Sequence, residues 1–198
     1  MPDPRQQVVD RLNEAVRMLE SCPEFAALVP EVRTNVAFAL PDASGPDDVA
    51  AVDGRITVVG GRPKAAGPVE FGASDHLARR IIELRKYDNA LWAALNFRWN
   101  ESIMEFMYRW CADHGLQMGA VERADEPKRL VGRDKGSMEW KVKRLVESLD
   151  GVVPPVFYES RGWGKEPLFL LVGEDPVALA ERACAIAREF AARCAGSD

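Results

Sequence analysis

Helical and strand-like segments alternate along this chain, and the alternation predicts an α/β fold: a single layered domain with a mixed β-sheet flanked by helices. Short strands and a hairpin signal favour a mixed sheet over a purely parallel one. The 198 residues are 47% hydrophobic and 29% charged. A chain of that length and composition buries a core without disulfide or metal staples.

The elements follow in order. Asp3-Pro4 caps a helix over residues 4–20, because Asp accepts from the first free N–H groups and proline suits the first helical position. Val8, Leu12, Ala15, Val16 and Leu19 recur along it at helical spacing. Thr34 to Leu40 alternates as a strand. The run 41–48 has loop composition. Val49–Val52 and Ile56–Val59 flank Asp53-Gly54, a hairpin signal. Gly60-Gly61 and Ala65–Pro68 are turns. Ser74 or Asp75 caps a helix with Leu77, Ile81 and Leu84 on one face. Asn89–Leu95 reads as helical and Leu95–Trp99 as a strand. Ser102–His114 is an amphipathic helix stopped by Gly115. Gln117–Glu122 is a strand. Ser137–Leu149 is a helix, with Val142, Leu145, Val146 and Leu149 in phase. Val156–Glu159 and Leu168–Val172 are apolar strands. Asp175-Pro176 starts a last helix, which carries Leu179, Ala183, Ile186 and Phe190.

Several function classes fall away at once. The net charge is −5, which argues against a nucleic-acid or anionic-membrane binder, since both need a concentrated basic face. No window approaches the roughly 18 apolar residues of a membrane span. Residues 1–17 are too polar for a signal peptide. The four cysteines, Cys22, Cys111, Cys184 and Cys194, form no C-x-x-C pair, so a zinc site is not expected. Four scattered thiols point to a reducing cytoplasm.

Generic catalytic motifs are missing. Gly162-Trp163-Gly164-Lys165 is partly like a phosphate loop, but Glu166 stands where a hydroxyl would hold magnesium. His114 precedes Gly115 in a last helical turn and reads as structural. His76 lies in the first turn of a helix, after a small-residue loop. Free N–H groups there suit an anion and disfavour an imidazolium, so a neutral His could donate a hydrogen bond or shuttle a proton. Arg55 follows the turn and is either a solvated arginine or a phosphate clamp. Arg98 ends an apolar strand. In Glu159–Pro167, Gly162 and Gly164 allow close backbone approach and Lys165 offers a cation to a phosphate. Glu126 and Glu139 are candidate Mg²⁺ ligands, because magnesium takes one or two carboxylates plus substrate phosphates. Helix capping and solvated faces account for those acids equally.

The ordered series of segments is more specific than any one of them. It runs Val32-Arg33-Thr34-Asn35-Val36, then Asp48 through Ile56, then Phe71-Gly72-Ala73-Ser74-Asp75-His76-Leu77-Ala78-Arg79, then Ala94 through Arg98. Glu126-Pro127, Met138-Glu139-Trp140 and Gly164-Lys165-Glu166-Pro167 complete it. This series resembles the ThiN family of thiamine-phosphate synthases, from about Gln6 to Phe190.

The resemblance implies an α/β enzyme that joins hydroxymethylpyrimidine diphosphate to hydroxyethylthiazole phosphate, releasing pyrophosphate. It implies Mg²⁺ as cofactor, small phosphorylated substrates, a homodimer and a cytoplasmic setting, with neither nucleic acid nor membrane as partner. It places the activity-bearing Arg of the G-R-I segment at Arg55 and the His of F-G-x-S-x-H at His76. Gly72 and Ser74 of that segment would sit beside a phosphate. Residue chemistry, not the resemblance, makes Lys165 with Gly162 and Gly164 the candidate for the thiazole phosphate, and Asn35, Asn96 and Arg98 the residues that complete the pocket by hydrogen bonding. Two departures stand out: Asp53 where the family commonly has Pro, and the larger residues of Ser160-Arg161-Gly162-Trp163. The expectation is a stand-alone domain over 1–198 with helix 4–20 as lead-in. The same family contains thiamine-compound sensors. A non-catalytic thiamine-phosphate-binding module is therefore the rival reading, although retention of Arg55 and His76 favours the enzyme.

Overall fold

The computed structural model describes residues 3–130, 134–162 and 164–196. Seven strands form one sheet: β1 Val36–Ala39, β2 Val49–Val52, β5 Val69–Phe71, β6 Ala93–Arg98, β7 Met118–Val121, β8 Val156–Glu159 and β9 Leu168–Gly173. Their spatial order is β5-β2-β1-β6-β9-β8-β7. Every pairing is antiparallel except β7 with β8, so the sheet is mixed, as the short strands imply. Strands β3 Ile56–Val59 and β4 Arg62–Ala65 form a separate two-stranded ribbon.

Five α-helices cover the sheet: α1 Pro4–Glu20, α2 Asp75–Leu84, α3 Glu101–Asp113, α4 Asp134–Glu147 and α5 Pro176–Ala195. Successive strand residues point to opposite faces. Val36, Leu95, Phe169 and Leu171 pack with α1, α3 and α5 on one side. Ala37, Ala94, Phe157, Leu170 and Val172 pack with α2 and α4 on the other. The helices begin where capping chemistry dictates. Asp3 Oδ1 accepts from Arg5 N (3.0 Å), and Asp175 Oδ1 accepts from Val177 N (2.9 Å) and Ala178 N (3.0 Å). Arg11 also donates to both oxygens of Asp175 at 2.8 and 2.9 Å, tying α1 to the start of α5. Asn100 Oδ1 caps α3 by accepting from Ile103 N (2.8 Å).

Two expectations are corrected. The Asp53-Gly54 turn forms, with Arg55 N donating to Val52 O (3.1 Å), but β2 and β3 do not pair. Strand β2 already has β1 and β5 on its two edges, so no edge is free for β3, which pairs instead with β4 across Gly60-Gly61. Asn89–Leu95 is not helical: turns lead directly into β6 at Ala93. The Ala and Leu of this stretch favour a helix intrinsically. Position overrides propensity, because Ala93 through Phe97 are buried at the centre of the sheet. Strands β4 and β5 were invisible to pattern because Pro63 interrupts one and the other is only three residues long. All four cysteines are free thiols.

Candidate functional site

A cavity of about 420 Å³ opens at one end of the sheet, on the α2/α4 face. The size suits a small ligand. Its floor is the start of β1, the end of β6 and the adjoining ends of β8 and β9, carrying Asn35, Asn96, Glu159 and Leu168. Strand alternation explains what points there. Glu159 lies two residues beyond Phe157 and Asn96 two beyond Ala94, so both project to the α2/α4 side at the point where the apolar contacts of that face end. The N-terminus of α2 and Met138 of α4 close the cavity from above.

One buried carboxylate gathers three cations there. Arg80 of α2 meets Glu159 at 2.5 Å. Arg123 donates to Glu159 through Nε (3.0 Å) and through a second, closer contact from its terminal nitrogen. Lys141 of α4 donates at 3.3 Å. All four side chains are almost wholly out of solvent. Burial alone would raise the Glu159 pKa; Arg80, Lys141 and Arg123 overcome it and hold the carboxyl well below its ordinary value. Burial conversely pushes the Lys141 pKa down against the pull of Glu159. Arg80 Nε has no hydrogen-bond partner. Glu159 Oε1 likewise has none beyond its ion pair with Arg80. Around the cavity, five cationic side chains (Arg55, Arg79, Arg80, Arg123, Lys165) face three carboxylates (Asp75, Glu159, Glu166). The lining is therefore net cationic, chemistry suited to an anion.

His76 stands in the first turn of α2, where Ser74 provides the N-cap. The residue is exposed and lines the mouth of the cavity. Its Nε2 lies 3.0 Å from the terminal nitrogen of Arg80, one helical turn on. The desolvating walls first, and then the Arg80 charge, push its pKa from 6.5 to about 3. The imidazole is neutral at physiological pH, as its place at a helix N-terminus implies.

Arg55 reaches the cavity from a strained turn. Gly54 and Arg55 both have positive φ, 67° and 69°, the second a conformation that non-glycine residues rarely hold. Arg55 Nη1 donates to Val32 O (2.5 Å), and Arg33, at φ 68°, donates back to Gly54 O (3.0 Å). The Thr34–Ile56 bridge locks the two segments together. Below them, Asn35 and Asn96 form a buried amide pair. Asn35 N donates to Asn96 Oδ1 (2.8 Å), Asn35 Nδ2 to Val52 O (3.0 Å), and Asn96 Nδ2 to Arg33 O (3.0 Å). These amides chiefly hold the backbone that presents Arg55.

Of the residues expected at a site, the structure brings Asn35, Arg55, Ser74, His76, Asn96, Gly164 and Lys165 to this cavity. It places Arg98 elsewhere, in an adjoining surface depression with Arg161 and Glu166. Gly72 does not line the cavity. Gly162 does not either; a Cβ there would stand 2.9 Å from Arg123 Cδ, so its smallness makes room for that arginine. Trp163 lies outside the described residues. The magnesium candidates are not assembled: Glu126 and Glu139 both lie off the cavity, and Glu139 is exposed on α4. No cluster of three potential metal ligands exists among the described residues. Each cavity carboxylate is engaged: Asp75 with Arg79 (2.7 Å), Glu159 with its three cations, and Glu166 with Val32 N (2.7 Å). The described residues thus form no protein-only cage for magnesium, which takes one or two carboxylates and draws its other ligands from substrate phosphates and water.

Sequence reading misses Arg80 and Lys141, and gives no role of their own to Arg123 or to Glu159, which stand only as the first residues of the Arg123–Pro127 and Glu159–Pro167 segments. A signal for two of them was present. Arg80 lies three residues after Leu77 and four before Leu84, and Lys141 stands in the same relation to Met138 and Leu145. Each is a charge on the apolar stripe of its helix, where a charge without a partner is costly.

A family profile described as "Thiamine-phosphate synthase ThiN" matches residues 11–185. The chain is 37% identical over 182 residues to "Thiamine-phosphate synthase ThiN" of Methanothermobacter thermautotrophicus, covering 92% of this chain and 93% of that one. It is 29% identical over 180 residues to "Bifunctional thiamine biosynthesis protein ThiDN" of Methanocaldococcus jannaschii, 90% of this chain but only 40% of that longer protein. Among solved structures, the C-terminal domain of a phosphomethylpyrimidine kinase superposes with a TM-score of 0.86 at 32% identity, over 92% of this chain and 99% of that one. No helix among the described residues is long and apolar enough to cross a membrane.

Proposed function

The chain belongs to the ThiN family of thiamine-phosphate synthases, and from that premise we propose how its cavity works. The reaction joins hydroxymethylpyrimidine diphosphate to hydroxyethylthiazole phosphate. The bond from the pyrimidine methylene carbon to the diphosphate oxygen breaks, the aminopyrimidine ring carries the resulting positive charge, and the thiazole nitrogen attacks that carbon. Thiamine phosphate and pyrophosphate are the products.

The observation that carries this reading is the excess of cations around one buried carboxylate, with His76 and Arg55 at the mouth. Pyrophosphate leaves more readily where preorganised donors await its growing charge. We assign Arg55, His76 and Arg123 to the diphosphate, with Arg80 and Lys141 adding charge from behind, and Lys165 with the Gly164 backbone to the second phosphate. Asn35 and Asn96 hold the turn that carries Arg55. The remaining contribution is positioning of two rings in one cavity.

Phosphate binding, the cytoplasm and a homodimer complete the proposal. Four free cysteine thiols support a reducing compartment, and light scattering tests the dimer. The deciding experiment supplies purified protein with both phosphorylated precursors and Mg²⁺ and looks for thiamine phosphate. Product is expected. Tight thiamine-phosphate binding with no turnover overturns the reading in favour of a sensor.

A further inference from the structure

His76 is one of only two histidines in the chain, and its ring nitrogen meets an arginine. An arginine guanidinium donates hydrogen bonds and accepts none. The 3.0 Å contact between Arg80 and His76 Nε2 therefore requires a lone pair on Nε2. With Nε2 unprotonated, the ring's proton is on Nδ1.

Arg80 is itself held in place. It is almost wholly buried, ion-paired to Glu159 and stacked over the Phe157 ring at 5.6 Å. Glu159 is fixed in turn by Arg123 and Lys141. The chain Glu159–Arg80–His76 thus runs from β8 through α2 to the cavity mouth, with each member oriented by the one behind it.

Resting on the synthase reading above, we propose that Arg80 is a positioning residue: it fixes His76 as a neutral Nδ1–H tautomer that donates one hydrogen bond to the substrate diphosphate and never delivers a proton to it. The diphosphate then leaves as a polyanion, balanced by the surrounding cations, and no acid step passes through His76.

The charges around the ring agree. Helix α2 supplies Asp75, Arg79 and Arg80; β8 supplies Glu159, α4 Lys141 and the turn after β7 Arg123. Arg55, Lys165 and Glu166 come from the loops. Cations predominate, and a second proton on the ring would sit against them.

The test is nitrogen-15 NMR of the histidine rings in the full-length protein, with His114→Gln used to assign the second signal. His114 Nδ1 lies 2.8 Å from Trp110 O at the end of α3 and serves as an internal comparison. His76 is expected to stay neutral, protonated on Nδ1, from pH 5 to 8. Inorganic pyrophosphate is expected to move its Nδ1 resonance while leaving Nε2 unprotonated. Titration of His76 within that range, or a proton on Nε2, overturns the proposal whether or not any variant folds.

Arg80→Gln supplies a second readout. Its His76 midpoint should rise by at least one pH unit, and its pH–turnover profile should gain an inflection that the parent and Arg80→Lys do not show. An unchanged midpoint in folded Arg80→Gln removes Arg80 from the role. The spectra do not depend on turnover, so absence of thiamine phosphate in the product assay would count against the synthase reading alone.

Discussion

The two faces of the sheet are made from the same alternating strands, yet they serve different ends. Toward α1, α3 and α5 the side chains are apolar from Val36 through Leu171, and three helices cover them. Toward α2 and α4 the apolar contacts stop short, and the end of the sheet carries Asn96 and Glu159. Every buried charged side chain among the described residues, Arg80, Arg123, Lys141 and Glu159, belongs to that one cluster. Burying charge costs free energy that burying leucine does not. Its concentration in one place, beside a cavity, teaches that stability and chemistry have been separated onto opposite faces.

The largest effects should come from striking each face at its centre. Phe25→Ala removes a ring with no exposed surface from the sealed side. It should cost about 3–5 kcal/mol in denaturant unfolding, with turnover per folded molecule unchanged. Glu159→Ala leaves three cations without their carboxylate and should also cost about 3–5 kcal/mol. The two variants part company when inorganic pyrophosphate is added. A ligand that binds only the native state raises its stability. Pyrophosphate should raise the melting temperature of Glu159→Ala more than that of the parent, and that of Phe25→Ala by the parent's increment. Equal increments in all three proteins would break the distinction between the faces.

Asn96→Ala comes next. It leaves Asn35 N, whose partner is the Asn96 side chain, without an acceptor in a buried place. The expected loss is about 1–3 kcal/mol, smaller than for either charge or ring, together with reduced turnover because the strand end presenting Arg55 is loosened.

Acidification sharpens the contrast by direction. The folded-state pKa of His76 is about 3 against an ordinary 6.5. The unfolded chain therefore takes up a proton that the folded chain refuses, and stability should fall as pH drops from 6.5 toward 3. Glu159, held well below its ordinary value, adds to the fall below about pH 4.5. Its contribution is complete above the unfolded carboxyl pKa and is lost as pH drops toward the folded one. His76→Asn should flatten the upper part of the curve in pH-dependent urea denaturation, and an unchanged curve would deny the ring its depressed pKa.

Much of this architecture was legible before any coordinates. Caps at Asp3, Ser74 and Asp175 follow from short-range hydrogen bonding, which sequence displays directly. Arg55 and His76 were found from an ordered series of segments, since their neighbourhood is local. The ion cluster was not found. Its members come from α2, the turn after β7, α4 and β8, and only tertiary packing brings them to one carboxylate. The start of β6 is ambiguous in sequence for a related reason: Ala and Leu carry no label for the centre of a sheet. Arg98 illustrates the converse, a residue of fitting chemistry whose strand runs past the cavity into the next depression.

The smallest effect isolates function from stability most cleanly. Arg33 and Arg55 face each other across one bridge with nearly equal positive φ, 68° and 69°. Each donates one hydrogen bond to the other's segment. Only Arg55 lines the cavity. Left-handed backbone costs a non-glycine residue roughly 1 kcal/mol, and both side chains are exposed. Arg33→Gly and Arg55→Gly should therefore shift unfolding free energy by similar amounts, within about 1 kcal/mol of the parent, as relief of strain offsets the lost hydrogen bond. Turnover should separate them. Arg55→Gly should lose roughly a hundredfold in kcat, the usual scale for one preorganised donor to a developing anion, while Arg33→Gly keeps activity near the parent's. Equal losses would mean that the turn matters only as a scaffold. A loss confined to Arg55 would mean that strain is retained there because the guanidinium must point into the cavity, a direction that a relaxed backbone at this position does not give.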